Sequence, residues 1–170
     1  MDARHPKKLV VANDWDRIRD LYNKLLHWLY AQEDVSKAQR CAHRLERLLT
    51  LADPAHETIF GQECWSLIYE ASGNLQKAIE HRKKEIELIQ RLQAISHNQP
   101  YEAVAVKDYG PSDLSDRLNL LATLYHDSRD LRNAISTLEE SKQLCTNSAI
   151  TFDGEDLLRD YRNEQPTATI

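Results

Sequence analysis

Metal ligation and acid–base catalysis need His, Cys or carboxylate side chains at defined spacings, and this chain offers few of them. His56 and Glu57 are adjacent, but no second His follows at the spacing of a metalloprotease helix. His81 and Glu85 are one helical turn apart, which is typical of a surface ion pair. We therefore predict no metal site and no resident cofactor.

The cysteines do not indicate redox or nucleophilic chemistry. Cys41, Cys64 and Cys145 are odd in number and widely spaced, which fits neither a disulfide framework nor a zinc ribbon. We expect reduced thiols in the core. Cys41 and His43 would face different directions on a helix, and the chain has no Gly-x-Ser-x-Gly motif and no Gly-rich phosphate loop. The sequence thus predicts a protein that is not an enzyme.

The composition favours helices joined by short turns. The 170 residues are 41% hydrophobic and 29% charged, as in a folded soluble domain. Four Gly and five Pro are too few for a fold that must turn frequently. The apolar runs are too short for a signal peptide or a membrane span, which predicts a cytoplasmic protein without membrane contact.

The net charge of −5 argues against nucleic-acid binding, because such binding depends on neutralising phosphates. Residues 112–170 carry 6 basic and 11 acidic side chains, so the acidic excess lies in the C-terminal third. Basic residues cluster at Arg40, Arg44 and Arg47 and over 81–84, but glutamates are interleaved with them. We interpret both clusters as solvated helix faces.

Apolar residues recur every three or four positions in seven stretches, which predicts seven amphipathic helices. Asn13 is the expected N-cap of the first helix. The expected helices cover 14–32, 35–49, 55–72 and 75–97, and three more begin near Ser112, Asp130 and Asp153.

Three turns between these helices share one pattern, namely a large residue, a tight polar turn, an apolar residue and then an alanine. The matching stretches are 27–39, 67–79 and 123–135, with Ala38, Ala78 and Ala134 at the same place. An alanine there lets the second helix of a pair lie close against the first. The pattern resembles the tetratricopeptide repeat (TPR). Gly73-Asn74 matches the turn of that family, whereas Glu33 and Arg129 replace its glycine.

The alanines are 40 and then 56 residues apart, more than the roughly 34 residues of the usual repeat. This spacing resembles the longer repeats of the kinesin-light-chain type, with an insertion at 98–111. The resemblance implies an all-α fold of three antiparallel helix pairs, stacked as a short right-handed solenoid with a C-terminal capping helix. The chain then divides into an N-terminal extension (1–13), the three pairs (14–146), the capping region (147–163) and a flexible tail (164–170).

In a TPR-like solenoid, the first helix of each pair lines a concave groove. The resemblance assigns the groove positions to Asp20, Asn23, His27, Tyr30, Phe60, Glu63, Leu67, Glu70, Asp116, Asn119, Thr123, His126 and Asp127. These positions hold carboxylates and no Lys or Arg, so we expect the groove to bind a basic or amphipathic segment. An ordinary solvated polar face is the alternative.

Two functions follow from these patterns. The first is a protein–protein interaction module, an adaptor, scaffold or small chaperone-like protein whose partner is a protein or peptide. The second is a helical-bundle enzyme or a small-ligand-binding protein without a recognisable motif. The helix near 154–162 either caps the array or mediates a homodimer, and the sequence leaves both open.

Overall fold

Seven helices make up the described part of the chain, and that part contains no strand. The computed structural model describes residues 12–53, 55, 57–98 and 109–165. The helices are α1 (Ala12–Leu26), α2 (Val35–Ala52), α3 (Ile59–Ala71), α4 (Leu75–Asn98), α5 (Pro111–Asp127), α6 (Leu131–Asn147) and α7 (Glu155–Glu164), and α1 continues as a π-helical turn over His27–Ala31. The predicted all-α class is confirmed. No helix among these residues has both the length and the apolar composition of a bilayer span.

Two helices begin away from their expected starts. α1 begins at Ala12, so Asn13 lies inside the helix and does not cap it. α3 begins at Ile59 instead of residue 55, because Thr58 caps the helix there. Its hydroxyl accepts the backbone N–H of Gly61 at 2.9 Å.

Two further starts are displaced by one or two residues. α5 begins at Pro111, where the Asp113 carboxylate accepts the N–H of Gly110 at 2.8 Å. α7 begins after Gly154 and not after Asp153. Most of the predicted N-terminal extension, insertion and tail lies outside the described residues.

The turns inside the three helix pairs share one backbone conformation. Glu33, Gly73 and Arg129 have φ angles of 49°, 76° and 66°, in the left-handed region that glycine adopts most easily. Ala149, which follows α6, has a φ of 53°. Glu33 and Arg129, which stand where the second turn has Gly73, therefore adopt the same conformation as that glycine.

The second helix of each pair begins with the same kind of cap. The side chains of Asp34, Asn74 and Asp130 each accept a hydrogen bond from the backbone N–H three residues further on, at 3.0, 3.3 and 3.2 Å. The chain thus enters α2, α4 and α6 through the same local structure.

Helices that are neighbours in the chain pack against each other. The most extensive contacts join α1 with α2, α3 with α4, and α5 with α6, and α2 also packs on α3 and α4 on α5. Ala38, Ala78 and Ala134 have no exposed surface. Because the alanine side chain is small, the two helices of each pair can lie close together at these positions.

Side-chain contacts also join alternate helices. The ring of Tyr22 on α1 lies 5.2 Å from that of Phe60 on α3. Arg117 on α5 lies 3.8 Å from a carboxylate oxygen of α3. His126 on α5 stacks on Tyr161 of α7, with the ring centres 4.2 Å apart. Helices α1, α3, α5 and α7 therefore contact one another in chain order.

Helix α7 covers one side of the third pair. Leu158 and Tyr161 are buried with Ala122, Ala134 and Leu138 in one apolar cluster. Ion pairs between α6 and α7 flank this contact. Leu158 and Tyr161 of α7 are therefore buried within their own chain, whereas Leu157 is 36% exposed.

Candidate functional site

The groove positions predicted on α1 do not share one face. The carboxylate of Asp20 lies 2.7 Å from Lys24 Nζ, and Asp20 lines a groove between α1 and α2. Tyr30 instead points towards α3, where its hydroxyl donates a hydrogen bond to Glu70 at 2.8 Å. Asp20 therefore does not belong to the same surface as Tyr30, while Asn23 and His27 are both exposed.

The predicted positions at the start of α3 are occupied by contacts within the chain. Phe60 packs against Trp15 and Tyr22, with ring centres 6.5 and 5.2 Å away. Leu67 is only 2% exposed, so a partner cannot reach it without a rearrangement. The carboxylate of Glu63 accepts the hydroxyl of Tyr22 at 2.5 Å. This part of the expected groove is closed by its own side chains.

Helix α7 lies over several of the predicted positions on α5. His126 stacks on Tyr161, and the hydroxyl of Thr123 bonds back to the carbonyl oxygen of Asn119 at 3.1 Å. A Cβ atom added to Gly154 would lie 3.2 Å from Asn119 Oδ1, so the start of α7 comes close to α5 here. These three positions contact α7 or their own helix.

Asp116 and Asp127 are exposed, but they lie at opposite ends of α5. About three helical turns, or about 16 Å, separate them. Partial burial raises the pKa of Asp116, and the neighbouring Arg117 opposes that shift. The two carboxylates therefore cannot contact the same charged group of a partner.

A charge network that links four helices lies beneath the predicted groove. Arg82 of α4 is 1% exposed and donates to Glu85, which is 0% exposed, at 2.5 Å. Arg117 of α5 donates from Nε to the other oxygen of Glu85 at 3.1 Å. Its Nη2 atom lies 3.8 Å from Glu63 of α3, which in turn accepts the hydroxyl of Tyr22 of α1. We call Tyr22, Glu63, Arg82, Glu85 and Arg117 the charge network.

Burial and the arginines act in opposite directions inside the charge network. Burial raises the pKa of Glu85, while Arg82 and Arg117 oppose the shift. Burial alone would lower the pKa of Arg117, but the carboxylates of Glu63 and Glu85 outweigh it and the net shift is upward. Burial and the Glu63 carboxylate raise the pKa of Tyr22, which keeps its hydroxyl protonated as a donor.

One exposed part of the predicted groove lies at the C-terminal ends of α1, α3 and α5. The Tyr30 hydroxyl donates to both oxygens of Glu70, at 2.8 and 2.9 Å, and Tyr30 is 51% exposed. The side chain of Asp127 is 49% exposed. We call Tyr30, Glu70 and Asp127 the acidic end.

The members of the acidic end also affect one another electrostatically. Burial is the largest cause of the raised pKa of Glu70, and the Asp127 carboxylate adds to it, whereas the Tyr30 hydrogen bond and buried Arg82 oppose it. Burial likewise raises the pKa of Tyr30, followed by the Glu70 and Asp127 carboxylates. A cation from outside would relieve the repulsion between Glu70 and Asp127.

The charge network was not predicted from the sequence. The expectation of a solvated face over residues 81–84 and of a His81–Glu85 ion pair is wrong, because Arg82 and Glu85 are both buried and bind each other. A signal was present, because Ala78, Arg82, Glu85 and Ile89 follow the four- and three-residue steps of one buried stripe. Charged residues on an apolar stripe indicate a buried ion pair.

Among the described residues, no group of three His, Cys, Asp or Glu side chains is placed to hold a metal ion. A scan against protein-family models, a search of curated proteins and a search of solved structures each gave no match. Function must therefore be inferred from the residues of this chain.

Proposed function

We propose that this chain is a protein-interaction module whose acidic end binds a basic segment of a partner protein. The chain would act as an adaptor, a scaffold or a small chaperone-like protein. The observation that carries the proposal is the acidic end, where the exposed Tyr30 donates to the half-buried Glu70 carboxylate and the exposed Asp127 carboxylate, from a different helix, contributes to the raised pKa of both.

The TPR-like arrangement is part of the same proposal. In it, the three helix pairs stack as a right-handed solenoid, and α1, α3 and α5 form the concave side. The repeated left-handed turn, the repeated caps and the buried alanines support one structural unit used three times. The contacts between alternate helices support a groove shared by all three units.

The chemistry of the acidic end suits an Arg or Lys side chain. Each carboxylate oxygen can accept more than one hydrogen bond, so Glu70 can bind a cation while it accepts the Tyr30 hydroxyl. A guanidinium group could also stack on the exposed ring of Tyr30. The closed start of the groove, around Phe60 and Glu63, would limit the contact to a short segment.

The test measures how labelled peptides bind the full chain, by fluorescence anisotropy at low and high salt. We expect an Arg-rich amphipathic peptide to bind and its Glu-substituted counterpart to fail, with weaker binding at high salt. Asp127→Asn should weaken binding about two- to fivefold. Asp156→Asn, on the exposed face of α7, is the matched control and should leave affinity unchanged.

Two results would contradict this function. One is equal affinity for the Arg-rich and the Glu-substituted peptide. The other is an affinity for the Arg-rich peptide that Glu70→Gln and Asp127→Asn together leave unchanged.

A further inference from the structure

The first helix pair has an open groove on the side of α1 that faces away from α3. This groove, of about 260 Å³, is lined by residues of α1 and α2 alone. The half-buried Leu48 provides its apolar surface above the buried Leu21, and Arg17, Lys24, Arg44 and Arg47 surround it, with Asp20 as the one carboxylate. We call these lining residues the basic flank.

The charges of the basic flank are only partly compensated within the chain. Lys24 pairs with Asp20 at 2.7 Å, and Arg17 lies 3.7 Å from Asp14 on the exposed surface. Arg44 and Arg47 are exposed, and no described carboxylate pairs with either of them, since Glu46 between them in sequence lies 3.6 Å from His43. The groove therefore has an unbalanced positive charge beside an apolar floor.

Apolar residues continue the floor of the basic flank along α2. Cys41 and Leu48 are seven residues apart, so they lie on one helix face. Leu51, one turn beyond Leu48, is 64% exposed. Apolar side chains spaced by helical turns along a groove between two helices fit the apolar stripe of a third helix.

The other end of the chain shows what kind of segment covers a helix pair here. α7 buries Leu158 and Tyr161 against the third pair. Its Glu155 pairs with Lys142 of α6 at 2.5 Å, and its first turn is acidic. An acidic amphipathic helix is therefore the kind of segment that this protein already uses to cover one of its pairs.

We infer that the basic flank binds an acidic amphipathic helix from a partner protein. Leu side chains of that helix contact Leu48 and Leu51, and its carboxylates pair with Arg44 and Arg47. This surface is separate from the acidic end and of opposite charge. The chain therefore has two docking surfaces that select partners of opposite sign.

The probe is a fluorescein-labelled helical peptide of about 18 residues, or five turns, with Leu at helical spacing and Glu elsewhere. We expect it to bind the full chain, and a peptide with Lys in place of Glu to fail. A peptide of the same composition with its Leu residues scrambled should also fail, because charge alone does not fill the apolar floor. Binding of the scrambled peptide with equal affinity would overturn the inference.

Charge reversal locates the site. Arg44→Glu with Arg47→Glu should weaken binding about tenfold or more. The matched control is Lys83→Glu with Lys84→Glu, which reverses two exposed charges on α4 and should change affinity less than about twofold. Equal losses in the two double variants would show nonspecific attraction and overturn the inference.

Cys41 provides an independent readout, because Cys64 and Cys145 are buried and Cys41 is half-buried. Cys41 shares a helix face with Arg44 and Leu48, so the bound peptide should slow its reaction with a thiol reagent severalfold. An unchanged rate at saturating peptide would overturn the proposed place of binding.

Two other occupants give different results. If the flank is covered by the chain's own Leu9 and Val10, replacing both with Ser will tighten peptide binding. If it contacts a membrane, vesicles of phosphatidylserine and phosphatidylcholine will bind in an Arg44-dependent manner and the peptide will not. Either result would overturn the inference.

Discussion

The charge network and the acidic end differ in what compensates their carboxylates. Glu85 is completely buried between Arg82 and Arg117, whereas Glu70 accepts a tyrosine hydroxyl and has Asp127 as a charged neighbour. In the charge network the cations are residues of the chain itself, so the Glu85 carboxylate contributes to the folded structure and not to binding. At the acidic end Asp127 lies 3.5 Å from His126 Nδ1 but pairs with no described Lys or Arg, so its repulsion with Glu70 leaves a place for a cation from a partner. A carboxylate at a groove position thus indicates binding where the chain itself does not neutralise it.

The largest effect should come from breaking the charge network at Arg82. Arg82→Ala leaves the carboxylate of Glu85 in the core without its nearest cation, and should lower the free energy of unfolding by about 3 to 5 kcal/mol. Urea denaturation followed by circular dichroism measures this. Asp127→Asn at the acidic end is the comparison variant and should change stability by less than about 0.5 kcal/mol.

A double variant keeps this prediction testable if Arg82→Ala does not fold. Arg82→Met with Glu85→Leu removes both buried charges and fills a similar volume, so it should be nearly as stable as the wild type or more stable. A double variant as unstable as Arg82→Ala would mean that packing around Arg82, and not its charge, stabilises this region.

The helices could be predicted from the sequence because their apolar periods are regular. The caps at Asp34 and Asp130 were also predictable, since Asp is a strong N-cap residue and each follows a break in the period. The start of α3 was not, because residues 55–58 are compatible with a helix and the cap at Thr58 decides its start.

For the groove positions, the helix face could be predicted from the sequence, but the burial of each side chain could not. The resemblance placed Leu67 on the expected concave face. Its burial depends on how closely α1, α3 and α5 approach each other, and the sequence of one helix does not contain that distance. The same limit applies to Arg117, whose partners Glu63 and Glu85 come from two other helices. Contacts between helices far apart in sequence need the tertiary structure.

The charge network also depends on close packing within the third pair, because α5 carries Arg117. Ala134 of α6 has no exposed surface, so Ala134→Leu should overpack the pair and lower the free energy of unfolding by about 1 to 3 kcal/mol. Ser136→Leu places the same side chain on the exposed face of α6 and is the matched control. Equal denaturation midpoints for Ala134→Leu and the wild type would rule out a close contact at Ala134.

A substitution in the turn after α5 should change stability without changing binding at the acidic end. Arg129 has a φ of 66°, which is strained for a residue with a side chain. Arg129→Gly should therefore raise the free energy of unfolding by about 1 kcal/mol without changing the affinity for a basic peptide. Glu140→Gly, at an exposed position within α6, should instead lower stability by about 1 kcal/mol. A loss of stability in Arg129→Gly would show that the arginine side chain has a role of its own.

The smallest effect concerns the pH dependence of stability at Glu70. The pKa of Glu70 is raised in the folded chain, so the folded state holds this proton more tightly than the unfolded state does. Stability associated with Glu70 is therefore greatest below the unfolded-state pKa and declines as pH rises through the folded-state pKa. Glu70→Gln removes that decline and keeps an oxygen that can accept the Tyr30 hydroxyl.

The difference in stability between Glu70→Gln and the wild type should therefore grow in favour of the variant as pH rises from about 4 to 8. Both proteins contain Glu85. Subtracting the stability–pH curve of the wild type from that of Glu70→Gln therefore cancels the contribution of this buried carboxylate. The affinity for the Arg-rich peptide should change the other way. It should rise with pH in the wild type, because Glu70 ionises, and this rise should be absent in Glu70→Gln. A stability difference that stays flat with pH would mean that Glu70 ionises without cost, and the acidic end would then lack the repulsion that favours a cation.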